Sequence, residues 1–339
     1  MTTYFLLPKS KRIFTLLFFV FLLQIYTVAL TIETKTVEPP LLRVGYIPLL
    51  SQLPLIISYD RNRLSYQRIR VNLTRFSSYI ALEAAFRTQA IDIAYLPIPT
   101  ILKMKAEGVA VLMGDALHRH GSSLVATPGV QKKDGQSKVF GIPALSSSEH
   151  LILEDYFSTK GLHYGTDYKV VTVQLNRAID ELERNNLDGL ILPEPYPTMA
   201  AIRLKDKIQY ISFKTEDYNG HQGHQSALAF NRNFVSAATA EGIVEWLKSV
   251  QQACNTLEKD LNEFGGAQTV ITQHYYFNFD KLLVQKAFAH SHGSMRFGAE
   301  KIPKAYLKQS LKKLMHLRLL LKSVTLDDLF LDSVMKGSL

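Results

Sequence analysis

Serines at three places, a carboxylate, several tyrosines and a pair of histidines are the side chains whose types and spacing could do chemistry. Ser51 and Gln52 follow an Ile-Pro-Leu-Leu run, Ser77 and Ser78 precede Tyr79, and Ser146, Ser147 and Ser148 follow Ile142-Pro143-Ala144-Leu145. Hydroxyls at helix starts sit beside first-turn N–H groups that lack partners and beside the positive end of the helix dipole, which suits a small anion. The same serines equally serve as plain helix caps. Pro97 and Ile98 end one strand, and Glu194 and Tyr196 end its counterpart, so these residues are expected along the same edges. His221 and His224, with Glu194, would suit a metal ion. Gly220 and Gly223 make that turn flexible, however, and a lone H-x-x-H is a weak pattern, so no metal and no cofactor are expected.

A duplicated unit must position these residues. Ile47-Pro48-Leu49-Leu50-Ser51 matches Ile142-Pro143-Ala144-Leu145-Ser146, and the run from Ile91 to Pro99 matches the run from Leu187 to Pro195, at offsets of 95 and 96. Each copy reads as strand, turn, helix, strand, helix and then a buried strand that opens near an Asp and is stopped by Pro-x-Pro. That is βαβαβ, which predicts a parallel sheet with right-handed crossovers. Such sheets bind ligands beyond the carboxyl ends of their strands, so two copies face to face would hold one ligand between them. The fold class is therefore α/β, in two lobes. In the first copy the strands are expected at 43–49, 69–73 and 91–96, with a helix over 79–88 behind the Ser77 and Ser78 caps. Asp92 and Asp188 read as structural landmarks.

Residues 1–30 carry Lys9, Lys11 and Arg12, no acid, and the apolar run 13–30, which has the layout of a cleaved signal peptide or an uncleaved anchor. A polar linker, 31–40, follows. Further divisions are expected at 41–125 for the first part of lobe one, 126–225 for lobe two, 226–275 for the return to lobe one and 276–339 for a C-terminal helical wrap. In that wrap Leu307, Leu311, Leu314 and Leu321 would form the buried stripe, opposite Tyr306, Gln309, Lys313 and Leu317. Removing residues 1–30 takes three positive charges from the formal +9. The remaining balance suits an anionic ligand or a membrane surface, but scattered Lys and Arg without a nucleic-acid motif exclude nucleic acid as a partner. The single cysteine, Cys254, falls in a helical apolar pattern and reads as core. The pairs His118 and His120, and His290 and His292, are expected on the surface.

The order Ile-Pro-x-x-x-Ser, helix, Lys-Val-Val, helix, Asn-x-Asp-Gly-x-Ile and Glu-Pro-Tyr resembles the substrate-binding proteins of nitrate, bicarbonate, sulfonate and taurine ABC importers, most of all the nitrate and bicarbonate branch. The resemblance covers about residues 41–233, with a weaker echo near 314–329. It implies a two-lobed periplasmic-binding-protein fold of type II, no catalysis, a small anion or zwitterion in the cleft, and delivery to an ABC permease in the inner membrane from the periplasm. One departure concerns the lysine that the nitrate branch carries before the strand returning to lobe one: residues 219–225 here read Asn-Gly-His-Gln-Gly-His-Gln. His221 or His224 could take over its hydrogen bond. Two alternatives stay open. One is a membrane-tethered sensor on the same fold; the other is a binding protein or enzyme for a pyrimidine precursor, for which Glu194 and His150 are the candidate catalytic groups.

Overall fold

The computed structural model describes residues 38–131, 135–213, 223–264, 276–290, 295–322 and 324–335, together with 18, 20, 21 and 24. Residues Met1–Pro39 and Pro40–Leu339 form separate units. The expected export segment and linker lie almost wholly outside the described residues, among which no helix is long and apolar enough to cross a membrane.

The second unit is built from the sequence repeat. In the first copy β1 (Leu41–Tyr46) runs into a 3-10 turn, Leu50–Gln52, and helix α1 (Leu53–Asn62), whose early Pro54 lacks only an N–H that would be unpaired anyway. After β2 (Arg70–Arg75), Ser78 Oγ accepts from Ala81 N at 3.1 Å and starts α2 (Tyr79–Arg87). β3 (Ile93–Pro97) is buried along its length and passes into α3 (Ile98–Ala106). Strands β4 (Val111–Met113), β5 (Ala116–Arg119) and β6 (Ser122–Ala126) then lead to the second copy. That copy consists of β7 (Lys138–Ile142), α4 (Ser148–Ser158), β8 (Tyr168–Thr172), α5 (Ala178–Glu183), β9 (Gly189–Pro193) and α6 (Tyr196–Leu204). β10 (Gln209–Ser212) and β11 (Ser226–Asn231) follow, then the long α7 (Ala237–Phe264).

Among the described residues ten of the strands form two five-stranded sheets, β2-β1-β3-β11-β4 and β8-β7-β9-β6-β10, and β5 belongs to a separate two-stranded sheet. In each, three parallel strands from one copy are completed by antiparallel pairing with a strand from outside it. The repeat extends to register: Val44 pairs with Ile93, and Phe140 with Gly189, the same pairing 96 positions on (44 to 140, 93 to 189). It extends to the aspartates as well. Asp92 Oδ2 accepts from Arg43 N at 2.9 Å and Asp188 Oδ2 from Val139 N at 2.7 Å, each carboxylate tying the start of its copy's last strand to the first.

The chain crosses between the sheets twice, side by side. The first crossing follows β5, and His120 N donates to Gly223 O at 2.7 Å on the second. Gly223 has a φ of 75° and packs against the His120 ring, so a side chain there would meet both strain and a clash. β6 pairs within the second sheet, so the crossing precedes residue 122 rather than following 125 as the sequence pattern suggested. His118 and His120 are buried, not at the surface, because β5 is sandwiched between the first sheet and the tail. Of the other surface pair, His292 lies outside the described residues.

The tail is more than helices. α8 (Lys281–His290) is followed by β12 (Arg296–Glu300), which pairs antiparallel with β5, then α9 (Lys304–His316) and α10 (Leu331–Met335). α9 packs on α3 of one lobe and α4 of the other, and Lys313 forms an ion pair with Asp155. Two packed sides bury Tyr306 and Leu317 along with the expected leucine stripe, whereas Leu321, beyond the helix end, is exposed. Cys254 is buried in the core of lobe one, and its thiol is pushed up to about 12 by that burial.

Candidate functional site

The facing edges of the two sheets meet where the sequence placed its serines. On the lobe-one side, Ser51 is buried and its Oγ has no hydrogen-bond partner. Gln52, its neighbour, is committed to its own lobe: Oε1 accepts from Ile47 N at 2.9 Å and Nε2 donates to Tyr95 O at 3.4 Å. Ser77 is exposed and Ser78 is occupied in capping α2, while the Tyr79 ring is fully buried. Burial drives the Tyr79 hydroxyl far above its ordinary pKa, with Glu149 adding to the shift and the Ser226 hydroxyl opposing it. Pro97 pairs with Ser226 across the sheet, and Ile98 N donates to Gln225 O at 3.0 Å.

On the lobe-two side the triple serine is divided among three tasks. Thr100 Oγ1, from lobe one, donates to Ser146 O at 2.8 Å and lies 3.2 Å from Ser146 Oγ. Ser148 Oγ donates to Gln225 O at 2.5 Å, at the second crossing. Ser147 holds the N-cap position of α4, yet its hydroxyl makes no capping bond; it is buried beside the Glu149 carboxyl, whose pKa it lowers. A further bond, Leu50 N to Glu194 O at 3.1 Å, joins the lobes. The clamp is therefore described with its two edges in direct contact.

Glu194 and His224 do not meet in one site. The Glu194 carboxyl turns into its own lobe, where Oε1 accepts from Tyr210 OH and Oε2 from Thr198 N at 3.3 Å. Burial raises its pKa to about 7 despite those donors. Tyr196 packs edge-on against Phe279 of the tail, with ring centroids 6.0 Å apart. His224 is buried beside the first crossing, its Nε2 3.2 Å from Glu300 Oε2 and its ring 6.3 Å from that of Tyr306. Burial lowers its pKa, reinforced by Arg119. His221 lies outside the described residues. Among those residues no three His, Cys, Asp or Glu side chains come together as a metal site.

Sequence reasoning missed Glu149, Thr100, Ser122, Gln225 and Tyr306. Glu149 is the most consequential: it is fully buried, Ser122 Oγ donates to its Oε1 at 2.8 Å, and Oε2 has no hydrogen-bond partner. Burial raises its pKa, opposed by its own backbone N–H and by the Ser122 and Ser147 hydroxyls. An acid in the first turn of α4 reads in the sequence as a complement to the helix dipole, and nothing in the spacing shows that it is buried. Tyr306 was assigned to an exposed face; its hydroxyl, raised by burial, is adjacent to Ser148 and Ser310. Among the described residues no Lys or Arg is buried, so the Glu149 carboxyl has no buried cation to pair with.

A model of the NMT1-like family matches residues 35–269. The chain is similar to the bicarbonate transport ATP-binding protein CmpC of Synechococcus elongatus, at 20% identity over 277 residues, covering 75% of this chain and 41% of that protein. It thus spans less than half the length of the curated relatives it matches. Its structure is similar to a zinc-bound ligand-binding component of an ABC-type import system from Staphylococcus aureus, with a TM-score of 0.74 at 15% identity, covering 88% of this chain and 99% of that one. It is also similar to the periplasmic aliphatic sulphonate binding protein SsuA from Escherichia coli, with a TM-score of 0.69 at 14% identity, covering 88% of this chain and 100% of that one. These likenesses show the two-lobed fold.

Proposed function

The chain belongs to the NMT1-like family, and from that membership we propose that it is the substrate-binding component of an ABC importer, exported to the periplasm and delivering a small anion or zwitterion to a permease. The ligand class is that of nitrate, bicarbonate, sulfonates and taurine. The observation that carries this reading is a pair of buried serine hydroxyls, Ser51 without a partner and Ser147 beside the Glu149 carboxyl, one on each facing edge of a duplicated clamp. In this reading a ligand enters between open lobes, takes hydrogen bonds from both, and favours the closed form through the contacts only that form supplies. The protein performs no reaction on it. Glu194 is bonded to Tyr210 and Thr198, and His150 Nδ1 sits 2.8 Å from Leu145 O. Among the described residues no hydrogen bond joins the two as an acid and base pair.

Thermal unfolding of the purified full chain tests this against nitrate, nitrite, bicarbonate with and without calcium, taurine, alkanesulfonates and hydroxymethylpyrimidines. A ligand held only by the folded form stabilises by about 2.7 kcal/mol at a hundredfold excess over its dissociation constant. We expect one compound to raise the midpoint accordingly. Flat midpoints across the panel would count against a receptor of this ligand class.

A further inference from the structure

We propose that the groove between α9 and residues 324–327 is a docking site for anionic phospholipid, through which the tail rests on a bilayer surface. The inference goes beyond the receptor reading and does not depend on what the cleft holds.

Positive charge in this chain is concentrated rather than spread. Of the formal +9, three charges precede residue 31 and seven lie in residues 301–326, so everything else sums to −1. Residues 301–326 contain no Asp or Glu. A solvated helix face ordinarily mixes both signs, as α7 does with Glu241, Glu245, Lys248, Glu258 and Lys259. In α9, Lys304, Lys308 and Lys312 instead follow one another at i,i+4 spacing, where like charges repel and weaken the helix.

Acids from other segments relieve only part of this charge. Lys313 pairs with Asp155, Lys304 with Asp327 at 3.2 Å, and Lys301 with Asp115 at 2.9 Å and Asp332 at 2.8 Å. Lys308, Lys312, Arg318 and Lys322 are exposed and have no ion-pair partner among the described residues. A negatively charged surface complements that excess.

The groove adds an apolar component that a simple anion would leave unused. Its volume is about 420 Å³, and Lys304, Lys308 and Lys312 line it together with Leu311, Met315 and Val324. Leu311 is buried beneath the exposed lysines, while Met315 is 43% exposed. Leu321, 94% exposed and lying between Arg318 and Lys322 in the chain, repeats the combination of cation and bare apolar side chain. Phospholipid matches both halves: its phosphate meets the ammonium groups, and the hydrocarbon beneath it meets the apolar side chains, as where lysine-bordered helices lie in a bilayer interface.

The test uses the purified full chain and vesicles of phosphatidylcholine with and without phosphatidylglycerol. The apolar run at 13–30 partitions into a bilayer whatever its charge, so the readout is placed in the groove. Met315→Cys carries an environment-sensitive dye; Cys254, the single native cysteine, is buried and its thiol is pushed up to about 12, so it does not compete for the label. We expect the dye to move from water into hydrocarbon on the anionic vesicles alone, and to return as salt is raised from about 0.1 M to about 1 M, which shortens the screening length from about 10 Å to about 3 Å. Adding Lys308→Gln and Lys312→Gln should lower the ratio of bilayer-buried to water-exposed label about 20- to 30-fold, roughly fivefold per charge. The control pair Lys169→Gln and Lys207→Gln, exposed lysines of lobe two, changes net charge equally and should leave the ratio within about twofold of its starting value. No dye shift on anionic vesicles, an equal shift on phosphatidylcholine alone, or an equal loss in the control pair would overturn the proposal. A shift that grows with protein concentration without vesicles would assign the groove to a second copy of the chain, and one produced as readily by poly-glutamate would assign it to an acidic polypeptide; either overturns it. Lipid-charge and salt dependence of the labelled chain alone suffice to reject the idea if the lysine variants fail to fold, and none of these outcomes bears on what the cleft binds.

Discussion

At the scale of single residues, several buried ionisable groups sit away from their ordinary pKa values in opposite directions, and the signs give a pH profile. Burial lowers His118 to about 3 and His120 to about 4, so each is neutral in the fold, and the stability they contribute at neutral pH is lost as pH falls below about 6.5, where the unfolded chain takes up protons first. Burial raises Glu194 to about 7, which acts the other way: the fold is favoured while the carboxyl is protonated and loses that advantage as pH rises from the unfolded value near 4.5 through 7. The two histidines outweigh the one acid between pH 5 and 6.5, and His224, also lowered by burial, adds to their side. We therefore expect urea midpoints to rise from pH 5, where the loss is on the order of 1–2 kcal/mol, to a broad maximum near pH 7 and to stay nearly level to pH 8, where the histidines' last gain offsets the Glu194 loss. In Glu194→Gln the acid limb should steepen and the midpoint should keep rising between pH 6.5 and 8. A variant that follows the wild-type curve would show that Glu194 does not titrate in this range.

At the scale of elements, two serines in equivalent N-cap positions have different tasks. Ser78 Oγ accepts from Ala81 N and starts α2, whereas Ser147 occupies the cap of α4 without bonding to it. Ser78→Ala should cost about 1 kcal/mol of stability through the lost cap, and Ser147→Ala should cost almost nothing in the empty protein. Urea midpoints for the pair decide it; equal losses would mean that the Ser147 hydroxyl is also structural. The strands and caps of each copy were legible because they rest on local signals: apolar runs closed by Pro, a serine before a helix, an Asp at a strand start. Gly141 shows where such signals end. A Cβ there would meet Leu190 at 2.5 Å and Val173 at 2.9 Å, a close approach of β7 to β9 and to the residue after β8 that nothing adjacent in the sequence announces. The lobe boundary was misplaced for a similar reason. β6 reads equally well as the last strand of one sheet or an inner strand of the next, and only long-range pairing distinguishes them.

At the scale of the whole molecule, the duplicated clamp was visible as a constant offset, but the use each lobe makes of its polar groups was not. Gln52 and Glu194 lie on the expected edges and are committed within their own lobes, while Thr100 and Gln225, given no role in advance, hold the edges together. The tail was similarly underestimated, because a helix packed against both lobes buries two faces where one stripe of leucines is legible. Closure thus depends on a few polar bonds and on α9 spanning the lobes, and this gives a test of the clamp as a moving part. Thr100→Val keeps the size of the side chain and removes the donor to Ser146 O, a bond made only when the lobes meet. One hydrogen bond contributes about 1 kcal/mol net, so the closed-to-open ratio should fall roughly five- to tenfold. Small-angle scattering of the ligand-free variant should show a larger radius of gyration than the wild type, and a saturating ligand should restore the compact value in both, since the ligand supplies contacts in the closed form alone. An unchanged radius together with an unchanged unfolding midpoint would indicate that the Thr100 bond does not contribute to closure and that the tail sets the angle between the lobes.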